Sequence, residues 1–501
     1  MKTKYSLVRV RASRRRFIPG ILATAIAMAL AIKPSHAAGG SWNVDAAGNW
    51  STAANWTPAV VPGTAEADVV NLQFDLTAAR TVTIDTTART VGDLNIGDAV
   101  APAFAYTVAA SGGAVLNLNN TGTTAASIDF TADAANVISA PITLVDNGII
   151  RSNAATGQTL SGIISGSAKT LTFNNDVNGT ANAAGTNLGQ FVLSGVNTYT
   201  GGTTVSDVRV ATGVAAGFGT AGISVSGAGQ VFLTANVTLP NAMTLNSTNW
   251  IESAGTFGAL RLDNGTVSGA ITMLRNTSVG SSTTNTNTIS GAVLGAANLT
   301  KVGGGLIVLT GNNSYTGMTI VNNGLLRVGS VNALGNSYAM VVENPANNAT
   351  SDTNVLQLSG GFTYGAGKTL TLRNNATANI PNARASFENL SGNNTWAGNI
   401  IIEGGANQAL TGTAGVFTVN GNISQSATPS TQLFIRGAGT GIINGSINLG
   451  TATLVKTDPG TWTINSGGNV QGNVTLGNGT LILNNNKIGR ASCRERVSSP
   501  V

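Results

Sequence analysis

Short apolar runs alternate with polar residues on a period of two: Val231-Phe232-Leu233-Thr234, Lys368-Thr369-Leu370-Thr371-Leu372, Val416-Phe417-Thr418-Val419 and Val474-Thr475-Leu476. This alternation puts every second side chain on one face and predicts half-buried strands. Asn and Gly cluster between the runs. Both tolerate positive φ, so the joints read as turns. No 3.6-residue apolar period of useful length follows residue 37, which predicts a core that is almost entirely β.

One phrase returns three times. It reads Gly195-Val196-Asn197-Thr198-Tyr199-Thr200-Gly201, then Gly311-Asn312-Asn313-Ser314-Tyr315-Thr316-Gly317, then Gly392-Asn393-Asn394-Thr395-Trp396-Ala397-Gly398. Apolar residues precede each copy and a β-type run follows, so the unit is strand, turn with one aromatic, strand. Repetition of such a unit marks a stacked architecture rather than a compact enzyme domain. A longer stretch, Leu299 to Leu309, aligns without a gap to Leu454 to Ile464, and Gly317, Gly324 and Val328 then fall on Gly472, Gly479 and Leu483.

These residues resemble the autotransporter-associated β-strand repeat, in which L-x-K-x-G-x-G-x-L-x-L precedes G-x-N-x-Y-x-G and a further strand. Leu299 to about Gly335 is the fullest copy. Near residue 460 the pattern decays, with Asp458-Pro459 in place of two glycines. The expected fold is an all-β, right-handed parallel β-helix or a closely related β-solenoid. The resemblance implies a secreted, surface-exposed stalk or adhesin-like passenger of an autotransporter-type bacterial protein, associated with the outer membrane. It also implies export machinery as a partner, a surface ligand or glycan, and a C-terminal barrel or anchor in the full-length protein. A secreted lyase-like enzyme acting on polysaccharide, or a structural protein of envelope or matrix, are the alternatives on the same fold.

Charge changes the picture at the two ends. Residues 1–37 hold eight Lys/Arg and no acid; the basic stretch, the apolar run Ile21 to Ile32 and Ser35-His36-Ala37 read as a signal peptide. Ser13-Arg14-Arg15-Arg16-Phe17-Ile18 also resembles a twin-arginine signal, leaving the export route open. N-terminal sequencing of exported protein is expected to start within a few residues of Ala38; retention of the whole segment would reject secretion. Residues 488–501 bring three Arg and the only Cys, and read as a non-native, adapter-like tail. Without these ends, residues 38–487 hold 15 bases against 19 acids, so the formal +6 of the chain does not describe the core. No basic face for nucleic acid is implied. Residues 38–100 read as an N-terminal cap with the first coils, and 101–487 as the repeat-bearing β-helix.

The single His is His36 and the single Cys is Cys493. The core therefore has no Ser-His-Asp or Cys-His constellation, no His or Cys metal ligand and no disulfide. No catalytic, cofactor or metal residue is expected. Gly361 to Thr369 has a glance of a P-loop, but its spacing fails by one and a strand follows where a helix is needed. Trp42, Trp50 and Trp56 read as a cap over the first open edge, with a sugar-stacking platform as the alternative. Tyr199, Tyr315 and Trp396 read as packing over the neighbouring coil, with a ligand ladder as the alternative. Arg373, Arg384 and Glu388 form the nearest approach to an acid–base cluster, and isolated surface charges are the plain reading.

Overall fold

The computed structural model describes residues 39–484 and 488–489, apart from 99, 178–188, 248, 253–254, 338, 345–353, 375–384, 405–406, 428–431 and 466–469. The signal peptide, Arg384 and the tail from residue 490 lie outside the described residues.

The chain winds as a parallel β-solenoid. The one described helical piece is a 3-10 turn, Ala53–Asn55. Each coil lays short strands on up to three faces, and each strand pairs with its counterpart one coil away. On the first face Val70, Leu94, Ile128, Ile150, Phe173, Val205, Val225, Leu245 and Met273 stand in register on successive strands. All nine are buried. The period-two alternation thus becomes an axial column of apolar side chains, each worth about 1.5–3 kcal/mol relative to exposure. Coil length varies, from 18 residues between the paired Val470 and Ile488 to 34 between Asp93 and Ser127.

Polar side chains outside the core form ladders of their own. Asn484 donates to Asn465 (2.6 Å), Asn465 to Asn444 (3.0 Å) and Asn444 to Asn420 (2.8 Å). Stacked amides satisfy one another because strand spacing is about 4.8 Å.

The N-terminal edge is closed by the three tryptophans. Gly40–Trp42 pairs antiparallel with Trp56–Thr57 and parallel with Val69–Leu72. Trp42 and Trp56 meet edge-on at 5.2 Å, and Trp50 packs on Trp56 at 5.0 Å. All three are buried, and each indole N–H finds a carbonyl: Trp42 that of Val44, Trp50 that of Pro62 and Trp56 that of Trp50. No ring face is left to stack on a sugar. At the other end, Ile488–Gly489 pairs parallel with Val470–Gln471, so the ladder enters the stretch that sequence reasoning set aside as tail.

Candidate functional site

The recurring turn is a device for stacking coils. Asn197 accepts from the Ile164 N–H of the preceding coil (2.8 Å) and donates to the Gly217 carbonyl of the following one (2.6 Å). Asn313 repeats this between Val293 N–H (2.8 Å) and Ala333 carbonyl (2.6 Å). Both amides are buried. A turn residue by sequence is therefore a staple across three coils. The aromatic two positions on is also buried, at Tyr199, Tyr315 and Trp396. Each tyrosine hydroxyl sits 2.6 Å from the threonine four residues later, Thr203 or Thr319. Packing is as expected, but the hydroxyl has a partner that sequence reasoning did not foresee.

The motif is not bound to one face. Thr198 bonds Ile164, which pairs with Ile142 on a face other than the first. Ser314 bonds Val293, on the first face with Ile271. Each copy requires only suitable coils above and below it.

Two lysines of the longer repeat are wholly interior. The Lys301 ammonium donates to the carbonyls of Val302 (2.8 Å), Gly303 (2.6 Å) and Asn323 (2.9 Å). Lys456 donates to those of Thr457 (2.6 Å), Asp458 (2.7 Å) and Asn478 (3.1 Å). The offsets from each lysine are identical: next residue, second residue, and the Asn of the Asn-Gly turn one coil on. Each lysine thus ties its own turn to the next. Burial pulls Lys301 down to about 7, from 10.5. Burial also lowers Lys456, against the pull of Asp458. Lys368, the lysine of the P-loop-like string, donates to the carbonyls of Gly335 (3.0 Å) and Ser337 (2.8 Å) and leads into the strand Thr369–Asn374. It is a coil-to-coil tie as well.

One departure from the solenoid carries charge. Between Met243–Ser247 and Leu260–Leu262 the chain makes an antiparallel hairpin, Trp250–Glu252 against Gly255–Gly258. Glu252 reaches Arg209 (2.6 Å) and Arg261 (2.8 Å), and Arg261 continues to Asp263 (2.6 Å). Arg261 lies over Phe232 (4.4 Å) and Phe257 (4.2 Å). The acids neutralise the arginines, so the cluster clamps the hairpin and leaves no net charge for a ligand.

Arg373 and Glu388 are not brought together as a catalytic pair. Arg373 meets Glu403 at 3.3 Å. Glu388 accepts from Gln357 (2.9 Å) and Thr413 (2.5 Å). Among the described residues no group of three or more His, Cys, Asp or Glu could hold a metal ion.

With this geometry in hand, three segments of the chain, residues 184–207, 299–328 and 454–483, match the passenger-associated-transport-repeat family. The second and third contain Lys301 and Lys456. The chain is an autotransporter-passenger-like repeat protein. The passenger-like chain is also 37% identical over 146 residues to the adhesin BmaC autotransporter of Brucella suis biovar 1 (strain 1330). That match spans 28% of this chain and 4% of the relative. No solved structure matches the passenger-like chain.

Proposed function

We propose that this protein is a secreted, surface-exposed stalk or adhesin-like passenger, associated with the outer membrane and acting without catalysis. The observation that carries the reading is that transport-repeat segments are built into a parallel solenoid, the segment 299–328 running through one coil and pairing with its own continuation in the next. Similarity to an autotransporter adhesin supports it. So does the use made of charge: the acids and bases facing outward, such as Arg373 with Glu403, serve one another along the stack. The reading requires export machinery, and a barrel or anchor from the full-length protein, as partners. It involves no nucleic acid and no cofactor.

The test is display and adherence. Expressed from its complete gene in a Gram-negative host, the solenoid should be labelled by antibody on intact cells and shaved by external protease. Beads coated with residues 38–489 should adhere to a host cell layer or matrix well above uncoated beads. Protease resistance on intact cells, with release only on lysis, would reject surface exposure. Failure of the beads to adhere to any such surface would reject the adhesin-like role and leave a stalk.

A further inference from the structure

We infer that a groove across the first face of the solenoid is a binding site for an uncharged glycan chain laid along the stacking direction. The proposal rests on the adhesin-like reading and names its ligand class and contact.

The groove has a volume of about 310 Å³ and crosses consecutive strands between residues 170 and 272. Its floor is Gly202, Gly222, Ala242 and Ala270, one on each successive coil. With no side chain beyond a methyl, these positions leave open space above the backbone, and Gly222 and Ala242 are exposed. Beside the floor runs a row of hydroxyls, Thr204, Ser224, Thr244 and Thr272, in register on four successive strands. Among the described residues no side chain bonds these four. The asparagine ladder ending at Asn484, by contrast, bonds only to itself. The structure therefore presents four donor–acceptor groups to the groove at a spacing of about 4.8 Å. That is close to the advance of one pyranose unit along an extended glycan.

Charge and backbone select among occupants. No lining residue is ionisable, so nothing compensates the desolvation of a sulfated, phosphorylated or sialylated ligand. An extended peptide that adds to a sheet needs an open strand edge. Here the floor carbonyls are already used: Thr203 N–H donates to Gly222, Ile223 N–H to Ala242 and Met243 N–H to Ala270. A neutral chain of hydroxyls needs neither charge nor edge. Each hydroxyl contact exchanges one hydrogen bond for another with water, so one groove binds weakly and adherence depends on many copies acting together.

The experiment measures binding of the full chain to neutral hexose oligomers of four to six units, with sulfated and sialylated oligomers alongside. Ala242→Trp fills the floor from an exposed position. Ser224→Ala with Thr244→Val removes two hydroxyls at nearly constant volume, and guards against misfolding in the first variant. Each variant is expected to keep the parent's circular dichroism and to lower neutral-oligomer affinity at least ten-fold. The proposal is overturned if only the charged oligomers bind, if none binds, or if both folded variants bind as the parent does. Coated-bead adherence is read in parallel. Beads that adhere equally well with Ala242→Trp would reject the groove and leave the adhesin-like reading intact, whereas parent beads that do not adhere would defeat the adhesin-like reading itself and leave a stalk.

Discussion

Lys301→Met is expected to lower stability by about 2–4 kcal/mol. Three carbonyls converge on the ammonium, and methionine offers none of them a donor. Ser281 N–H remains on Val302 at 3.3 Å, so the greater loss falls on Gly303 and on Asn323 of the next coil. The cost should depend on pH. Burial holds the folded-state value near 7, below the ordinary 10.5. Between these values the unfolded chain carries the extra proton, so wild-type stability gains up to about 1.4 kcal/mol per pH unit from this group as pH rises. The methionine variant lacks that gain, and its deficit should widen from pH 7 to pH 10. Chemical denaturation of both proteins at pH 6, 8 and 10 measures this. A deficit constant across the range would show that Lys301 stays charged in the folded protein. Lys456→Met should behave alike if the shared geometry is what matters.

Gly317→Val is expected to cost about 3 kcal/mol or more, and Tyr315→Phe about 1 kcal/mol. A Cβ on Gly317 would lie inside the Ala297 carbonyl group and press on the Asn298 nitrogen at 2.7 Å. Those are backbone atoms of the adjacent coil and cannot rotate away. Close approach rather than positive φ fixes this glycine, and Gly201 and Gly398 meet backbone of their preceding coils in the same way. Tyr315→Phe keeps the packing and deprives the buried Thr319 hydroxyl of its 2.6 Å partner. Hydrogen exchange should show the Gly317 lesion opening the coils around 297–337 first, since a stacked repeat is coupled chiefly to its neighbours. Equal, chain-wide loss in both variants would contradict the residue roles.

Strands and turns were legible in the sequence because a period of two and Gly/Asn punctuation act locally. The interior lysines were legible in principle. Lys301 shares strand parity with the buried Leu299, and Lys456 with Leu454, which points both inward. Reading charge as surface by default hid that signal. What no local pattern could supply is the partner one coil away. Arg209 and Glu252 are joined across 43 residues, a distance set by the intervening coils and hairpin. Arg373 and Glu388 stand only fifteen apart, yet they occupy different faces, where Arg373 is in register with Glu403 and Glu388 with Gln357. Nearness along a solenoid chain is a poor guide to contact; a full winding is a better one.

Pairing strands with their counterparts one winding away also sets how the protein yields to tension. A pull on one end loads the bonds of the outermost winding, not those of a whole sheet at once. Releasing about 20 residues frees roughly 70 Å of slack at ~3.4 Å per residue, for about 4.8 Å lost from the stack. The remaining windings keep their columns, ties and staples. Under shear the molecule would lengthen in small successive steps, dissipating load while the rest of the stack remained docked.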